Sequence, residues 1–273
     1  MAPRPTRSLR YEYELFVEQE IENYKESVPR GVLLSIGDEA VASLGTQQQL
    51  ALTELLLCEE VDRIIFKRLR LPSYETWRRR RVRLIDELRR PEHWGLGPDD
   101  ALVRALPSRT DGRVLVAGAD DQMASLYLAA NGCDVTTITG EAETVERVMQ
   151  AAIEAGLGQR VHALLGDLAT WQPHEQLSAV IVSPAALEGL SADERARVIE
   201  SLQSATLDGG VHLVEVIASS AKGAVPGTLS LEELRSRYRG WSVTVERTDA
   251  AQPSGSASPG ARSKTFLARK GAA

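Results

Sequence analysis

The stretch VLVAGADDQMASLYLAANGCDVTTI, residues 114–138, decides the fold class of the second half of the chain. Its pattern predicts a buried strand, then a helix that ends at Gly132, then a second strand. The alternation of strands and helices begins at about residue 110 and continues almost to the end of the sequence. Such alternation is typical of a mostly parallel sheet covered by helices. We therefore predict an α/β domain over residues 110–273.

Composition limits the class of protein. The chain has 273 residues, a net charge of −6 and 43% hydrophobic residues, which is ordinary for one or two globular domains. No apolar run approaches the roughly 20 residues that span a bilayer, and the first 20 residues lack the apolar core of a signal peptide. Cys58 and Cys133 lie far apart without metal-ligand spacing. We expect a cytoplasmic protein that binds no membrane and no metal.

The first half of the chain has a different pattern. Residues 8 to about 94 carry apolar positions at helical spacing, and the PEHWGLGPDD segment that follows interrupts the helical pattern. We predict an all-helical domain over residues 1–105. Its charges are segregated, because residues 11–62 contain 2 basic and 12 acidic side chains, whereas residues 63–90 contain 11 basic and 3 acidic ones.

The basic region has two interpretations. An apolar helix, a short turn at Leu71 to Ser73 and an arginine-rich helix have the outline of a helix-turn-helix, which would make the protein a nucleic-acid-binding regulator. The second helix would then direct four arginines outward and five apolar residues toward the core. Alternatively, the arginines pair with the glutamates of the first helix, within the domain or across a dimer, and this favours a protein partner or homo-oligomer. We prefer the second interpretation. The arginines are Arg78, Arg79, Arg80 and Arg83, the glutamates are Glu12, Glu18, Glu20 and Glu22, and the apolar residues are Tyr74, Trp77, Leu84, Ile85 and Leu88.

Residues 110–270 resemble the class I S-adenosylmethionine-dependent methyltransferases. The resemblance rests on the order of elements, on Asp208-Gly209-Gly210 before the fifth strand, and on two closing strands around a loop. The tail LSLEELRSRYRGWSVTVERT with KTFLARK is most similar to the small-molecule and tellurite-resistance branch. The resemblance implies a Rossmann-like seven-stranded sheet and S-adenosylmethionine as cofactor. It also implies eight cofactor-binding positions: Gly118, Ala119, Asp120, Asp121, Thr139, Glu141, Asp167 and Leu168.

The first strand departs from the family pattern at its end. The family has a Gly-x-Gly-x-Gly loop there, which lets the cofactor approach backbone amides. This chain keeps Gly118 and has Asp120 and Gln122 at the other two glycine positions. Asp121 adds a second carboxylate near the pocket for the methionine carboxylate, and like charges at close range disfavour an anionic donor.

The other family positions are also altered. The acidic residue that accepts the ribose hydroxyls is Thr139 here, and Glu141 is two residues beyond it. Asp167 stands where the family contacts the adenine amino group. The segment VSPAALEG lacks the Asn/Asp-Pro-Pro motif of amino-methylating enzymes, so no catalytic residue can be named. We expect His162, His174 and His212 to be surface or satisfied positions.

Two functions from different classes follow from these departures. The first is a methyltransferase-like pseudoenzyme whose cofactor site has decayed and which acts by binding a partner. The second is an active S-adenosylmethionine-dependent small-molecule transferase with a rebuilt site. In one version GADD, residues 118–121, resembles the turn of the branched-polyamine aminopropyltransferases, whose decarboxylated donor lacks the carboxylate that Asp120 and Asp121 would repel.

Overall fold

The computed structural model of the chain describes residues 8–44, 53–106, 112–118, 122–217, 229–248 and 263–271. The chain divides into two compact units, Met1–Leu84 and Ile85–Ala273. The Ser/Gly/Pro-rich segment 251–263, predicted from sequence to be a mobile loop, lies outside the described residues apart from its last one. No helix of the described segments is both long and apolar enough to cross a membrane.

Helices form the first unit. Ser8 begins α1, because its side chain accepts a hydrogen bond from the Tyr11 backbone N–H. Helix α4 begins at Tyr74, directly after Ser73, where the sequence predicted a helix start. The helices are α1 (Leu9–Ser27), α2 (Arg30–Leu44), α3 (Thr53–Leu69) and α4 (Tyr74–Leu88), whose last turn belongs to the second unit. Their buried apolar cluster is Ile21, Ile36, Ala40, Ile64 and Ile65.

The second unit begins with short helical segments before the sheet. A 3-10 turn spans Pro91–Trp94, and the indole N–H of Trp94 donates to the Leu88 carbonyl oxygen at 2.6 Å. Helix α5 (Ala101–Ala105) is capped by Asp100, whose carboxylate accepts from the Leu102 backbone N–H. Trp94, Leu102 and Ala105 are buried in the same apolar cluster as the first strand of the sheet.

A seven-stranded sheet organises the rest of the unit, in the order β3-β2-β1-β4-β5-β7-β6. The first five strands are parallel and β7 is antiparallel between β5 and β6. The predicted α/β sheet with an N-terminal helical region is confirmed. The strands are β1 (Arg113–Ala117), β2 (Asp134–Thr139), β3 (Val161–Leu165), β4 (Leu177–Val182), β5 (Thr206–Ile217), β6 (Ser242–Thr248) and β7 (Ser263–Arg269). The helices between them are α6 (Gln122–Ala130), α7 (Ala142–Glu154), α8 (Ala192–Ala205) and α9 (Leu231–Arg237).

The start of β5 differs from the sequence prediction. The segment SADERARVIESLQSATLDGG, residues 191–210, has the sequence pattern of a capped helix that runs to Gly210, but α8 ends at Ala205 and β5 begins at Thr206. The Thr206 hydroxyl donates to the Leu202 carbonyl oxygen at 2.6 Å and so occupies one of the last acceptors of the helix. The two glycines lie inside the strand, where the register with β4 shifts, and Gly209 has a φ of 77°. They therefore form an irregularity within β5.

Candidate functional site

The sheet order places a candidate binding crevice at the carboxyl ends of β1, β2 and β4. The chain leaves β1 toward β2 on one side, while β4 lies on the other side of β1. Open parallel sheets bind ligands where the strand order reverses in this way. Ala117, the last residue of β1, is in register with Ile138 of β2 and with Val182 of β4. The residues after these three strands therefore surround one crevice.

Gly118 lies between the two neighbouring strands at this crevice. Its N–H donates to the Ile138 carbonyl oxygen at 3.0 Å, and the Ser183 N–H donates to the Ala117 carbonyl oxygen at 2.9 Å. Gly118 has a φ of 120°, and a Cβ added there would lie 1.6 Å from Ser183 Oγ. Both the backbone conformation and the close approach of Ser183 require glycine at this position.

Two buried polar atoms at the crevice have no hydrogen-bond partner among the described residues. One is Ser183 Oγ, after β4, and the other is Oε1 of Gln122, the first residue of α6. Buried side-chain polar atoms are usually paired with protein, water or ligand. Ala119, Asp120 and Asp121, which connect β1 to α6, lie outside the described residues.

The end of β2 carries a hydroxyl in place of the acid expected from the resemblance. Thr139 is 3% exposed, and its Oγ1 accepts from the Glu141 backbone N–H at 3.3 Å. Glu141 precedes α7, and its Oε2 accepts from the Thr144 hydroxyl at 3.0 Å. Thr144 Oγ1 in turn accepts from the Arg147 guanidinium at 3.0 Å. The Glu141 carboxylate thus takes part in the first turn of α7.

Asp167 and Leu168 follow β3. Asp167 is exposed, and its Oδ1 accepts from the Ala169 backbone N–H at 2.8 Å, so the carboxylate stabilises its own turn. Leu168 is 4% exposed and belongs to the apolar cluster on one face of the sheet. These positions border the crevice through β3, because Leu165 is in register with Thr139.

A buried hydrogen-bonded chain centred on His212 lies at the other side of the sheet. Since the Thr206 hydroxyl donates to a carbonyl, it accepts from His212 Nε2 at 2.7 Å, and His212 Nδ1 then accepts from the Tyr238 hydroxyl at 2.7 Å. Burial, followed by the nearby charge of Lys270, lowers the pKa of His212 to about 3. Burial raises the pKa of Tyr238. The expectation of a satisfied histidine is confirmed at this position, although no sequence pattern indicated its partners.

On the first unit, α4 presents an arginine surface, which we define as Arg78, Arg79, Arg80 and Arg83. All four side chains are exposed, as predicted. Within the chain, the predicted ion pairs of these four arginines with α1 do not form among the described residues, where Arg81 instead pairs with Glu12 at 3.3 Å. Leu84, predicted to face the core, is 42% exposed. Adjacent residues of an α-helix are about 100° apart around its axis, so Leu84 lies outside the helix face that Ile85 shares with Leu88.

The described residues contain no group of three or more histidine, cysteine, aspartate or glutamate side chains arranged to hold a metal. Cys58 is exposed and Cys133 is buried, and neither forms a disulfide.

Comparison with known proteins identifies the fold family. The profile of the tellurite resistance protein TehB family matches residues 100–267. Among solved structures, TehB from Haemophilus influenzae is 20% identical with a TM-score of 0.50, and the match covers 62% of this chain and 61% of TehB. This chain thus matches about three fifths of the length of that protein. No curated protein sequence matches the chain.

Two further solved structures are similar to this chain. The glycopeptide N-methyltransferase MtfA in complex with S-adenosylmethionine is 16% identical with a TM-score of 0.47, over 62% of this chain and 90% of MtfA. The N-methyltransferase NodS from Bradyrhizobium japonicum WM9 is 12% identical with a TM-score of 0.49, over 63% of this chain and 93% of NodS. The N-terminal helices lie outside the family match.

Proposed function

Since this chain belongs to the TehB family and has the class I methyltransferase fold, we propose that it is a pseudoenzyme that binds a partner and does not transfer methyl groups from S-adenosylmethionine. The observation that carries this proposal is the end of β2. Thr139 is buried there, and its hydroxyl already accepts from the Glu141 backbone N–H. A single neutral hydroxyl cannot make the bidentate, charge-assisted contact that a carboxylate makes with a ribose diol.

Glu141 does not supply the missing contact in the observed conformation. Its carboxylate accepts from Thr144, which also accepts from Arg147. Turning Glu141 toward the crevice would give up the hydrogen bond with Thr144, at a cost of about 1.5–3 kcal/mol for a bond to a charged group. In the observed conformation the Glu141 carboxylate therefore accepts a hydrogen bond from Thr144 instead of binding a ribose.

The residues after β1 support the same proposal. Gln122 stands at a glycine position of the resembling family, and its buried Oε1 needs a donor of its own. The sequence also has Asp120 and Asp121 at positions that the family resemblance assigns to the methionine-carboxylate pocket. Like charges at short range in a partly dry site cost on the order of a few kcal/mol. These residues do not fit ordinary S-adenosylmethionine.

Isothermal titration calorimetry tests the proposal. The full chain should bind S-adenosylmethionine and its demethylated product more weakly than about 1 mM, which corresponds to less than about 4 kcal/mol. A variant with Asp120→Gly, Gln122→Gly and Thr139→Asp should gain affinity, because the sheet and α6 already provide the scaffold. Micromolar binding by the unaltered chain would refute the proposal. No gain in the triple variant would mean that loop positions differ from those of the resembling family.

A second candidate function is supported by the two buried atoms without partners. Ser183 Oγ and Gln122 Oε1 both lie at the crevice, and a ligand offering hydrogen-bond donors would satisfy them. A decarboxylated donor would also avoid repulsion from Asp120 and Asp121. Titration of the full chain with decarboxylated S-adenosylmethionine decides this point, because selective binding of that donor would favour an active aminopropyl transferase over the pseudoenzyme.

A further inference from the structure

The arginine surface concentrates four cationic side chains on α4, a helix that also carries Glu75, Asp86 and Glu87. Its four side chains are exposed, and none forms an ion pair with a carboxylate of the described residues. The polar contact that Arg79 makes is a 3.4 Å hydrogen bond from Nε to the backbone oxygen of Glu75. Exposed guanidinium groups within two helical turns of one another attract anions strongly.

Three of the six acidic side chains of α1 are already engaged by other cations of the described residues. Glu12 pairs with Arg81 at 3.3 Å, and Glu14 pairs with Arg10 at 3.0 Å. Glu22 pairs with Lys25 at 2.8 Å. This local neutralisation lowers the attraction of α1 for the arginine surface of the same chain or of a second copy. Since none of the four guanidinium groups pairs with α1 among the described residues, all four are available to an anion from another class of molecule.

The inner face of α4 holds the arginine surface in place. Tyr13 of α1 contacts the Trp77 ring at a centroid distance of 5.5 Å, and its hydroxyl donates to the Pro72 carbonyl oxygen at 2.9 Å. Arg70, with a φ of 53°, lies in the turn of four residues between α3 and α4. A helix, a short turn and a second helix, in this order, are also the elements with which helix-turn-helix proteins contact nucleic acid.

We propose that the arginine surface binds the phosphate backbone of a nucleic acid. Arginine suits this role because its planar guanidinium group donates two hydrogen bonds to one phosphate. Arg79 and Arg83 lie one helical turn apart, about 6 Å along the axis, and can contact neighbouring phosphates. This inference rests on the proposed function in one respect: it identifies nucleic acid as the partner that the proposed pseudoenzyme binds. It does not depend on the cofactor site, so calorimetry with S-adenosylmethionine and nucleic-acid binding can fail independently.

Fluorescence anisotropy with the full chain tests the proposal, using labelled duplex DNA and duplex RNA of the same sequence. If all four arginines contact phosphates, the slope of log affinity against log salt is about −3.6 for duplex DNA, and affinity falls about a hundredfold between 50 and 200 mM salt. The variant Arg79→Glu with Arg83→Glu should lower the magnitude of the slope by about 1.8 or abolish binding. Tighter binding of one duplex type identifies whether DNA or RNA is the ligand.

A matched control carries Arg235→Glu with Arg239→Glu, which are exposed in the second unit and change the net charge equally. The control should bind as the unaltered chain does, and equal loss in both variants would overturn the proposal. Absence of binding at 50 mM salt would also overturn it. If the reversal variant proves unfolded by circular dichroism, Arg79→Gln with Arg83→Gln serves instead.

Sedimentation velocity separates a second copy from nucleic acid as the partner. The groove between α1 and α3, about 460 Å³ in volume, is lined by apolar and acidic side chains and is where a second copy could receive the arginine surface. Self-association that the reversal abolishes, together with no nucleic-acid binding, would overturn the proposal in favour of a homodimer. Unchanged sedimentation together with salt-sensitive binding would support it.

Discussion

Replacing Gly118 with alanine should destabilise the second unit by about 2–5 kcal/mol. A side chain at a φ of 120° costs about 1–2 kcal/mol, because L residues avoid positive φ. The new Cβ would also lie 1.6 Å from Ser183 Oγ and 2.7 Å from Ser183 Cβ. Overpacking of a buried site costs about 1–3 kcal/mol more.

A double-mutant cycle separates the two costs. Ser183→Gly removes both close atoms and leaves Ser183 Cα at 3.6 Å from the added Cβ, an ordinary contact. The variant Gly118→Ala with Ser183→Gly should therefore recover the overpacking part, about 1–3 kcal/mol, and keep the backbone part. Ser183→Ala is the matched control, because it leaves the Cβ contact at 2.7 Å and should rescue less.

Urea unfolding with hydrogen exchange read at the β1 and β4 amides is the suitable assay. The chain has two compact units, so a signal from the whole chain would mix their transitions. Neutral substitutions usually change the unfolding free energy by no more than about 0.5 kcal/mol. An unfolding free energy of Gly118→Ala within that range of the unaltered chain would therefore refute the reasoning. Equal rescue by Ser183→Ala and Ser183→Gly would refute the steric part alone.

Two further predictions concern buried polar groups of the second unit. Because the pKa of His212 is lowered to about 3 from an ordinary 6.5, the unfolded chain takes up a proton below pH 6.5 that the folded chain does not. Between pH 6.5 and 5 this lowers the unfolding free energy by about 2 kcal/mol, at about 1.4 kcal/mol per pH unit. Urea titrations at several pH values should show that the unfolding free energy of His212→Gln lacks this dependence on pH. Equal pH dependence in the variant and the unaltered chain would contradict the prediction. Arg195, which is 5% exposed, pairs with Glu233 at 3.4 Å. Arg195→Met should lower the unfolding free energy by about 3 kcal/mol in the same assay, and Arg195→Lys should lower it by less. A loss below about 1 kcal/mol in Arg195→Met would show that Arg237, 3.6 Å from Glu233, compensates for the missing arginine.

The order of strands and helices could be predicted because it depends on local patterns. Apolar runs mark β1 and β4, and α6 ends at Ala130, two residues before Gly132, whose φ of 107° suits the turn that the sequence indicated there. The start of β5 could not be predicted in this way. Thr206 pairs with Leu177 of β4, so strand pairing across the sheet decides where α8 ends.

The side-chain partners of the arginine surface and of His212 could not be predicted, because they join residues that are distant in the sequence. Exposure of the arginines followed from helical periodicity, but their ion pairs did not, since Arg81 rather than its neighbours reaches Glu12, 69 positions away. The His212 chain likewise joins Thr206 and Tyr238 through the fold. Opposite charges in a sequence predict attraction but not which side chains meet.

Gly118 illustrates why a retained motif residue is weak support for a retained cofactor. The sequence suggested that this glycine survives from a cofactor loop, whereas in the structure Ser183 packs against its Cα. Packing alone therefore requires glycine here, even if no cofactor binds. Thr139 is not constrained in this way, because its hydroxyl accepts a hydrogen bond that an aspartate oxygen would accept equally well. Packing therefore does not determine the residue type at position 139, which can depend on whether a cofactor binds. For that reason Thr139 is stronger support for the proposed function than Gly118.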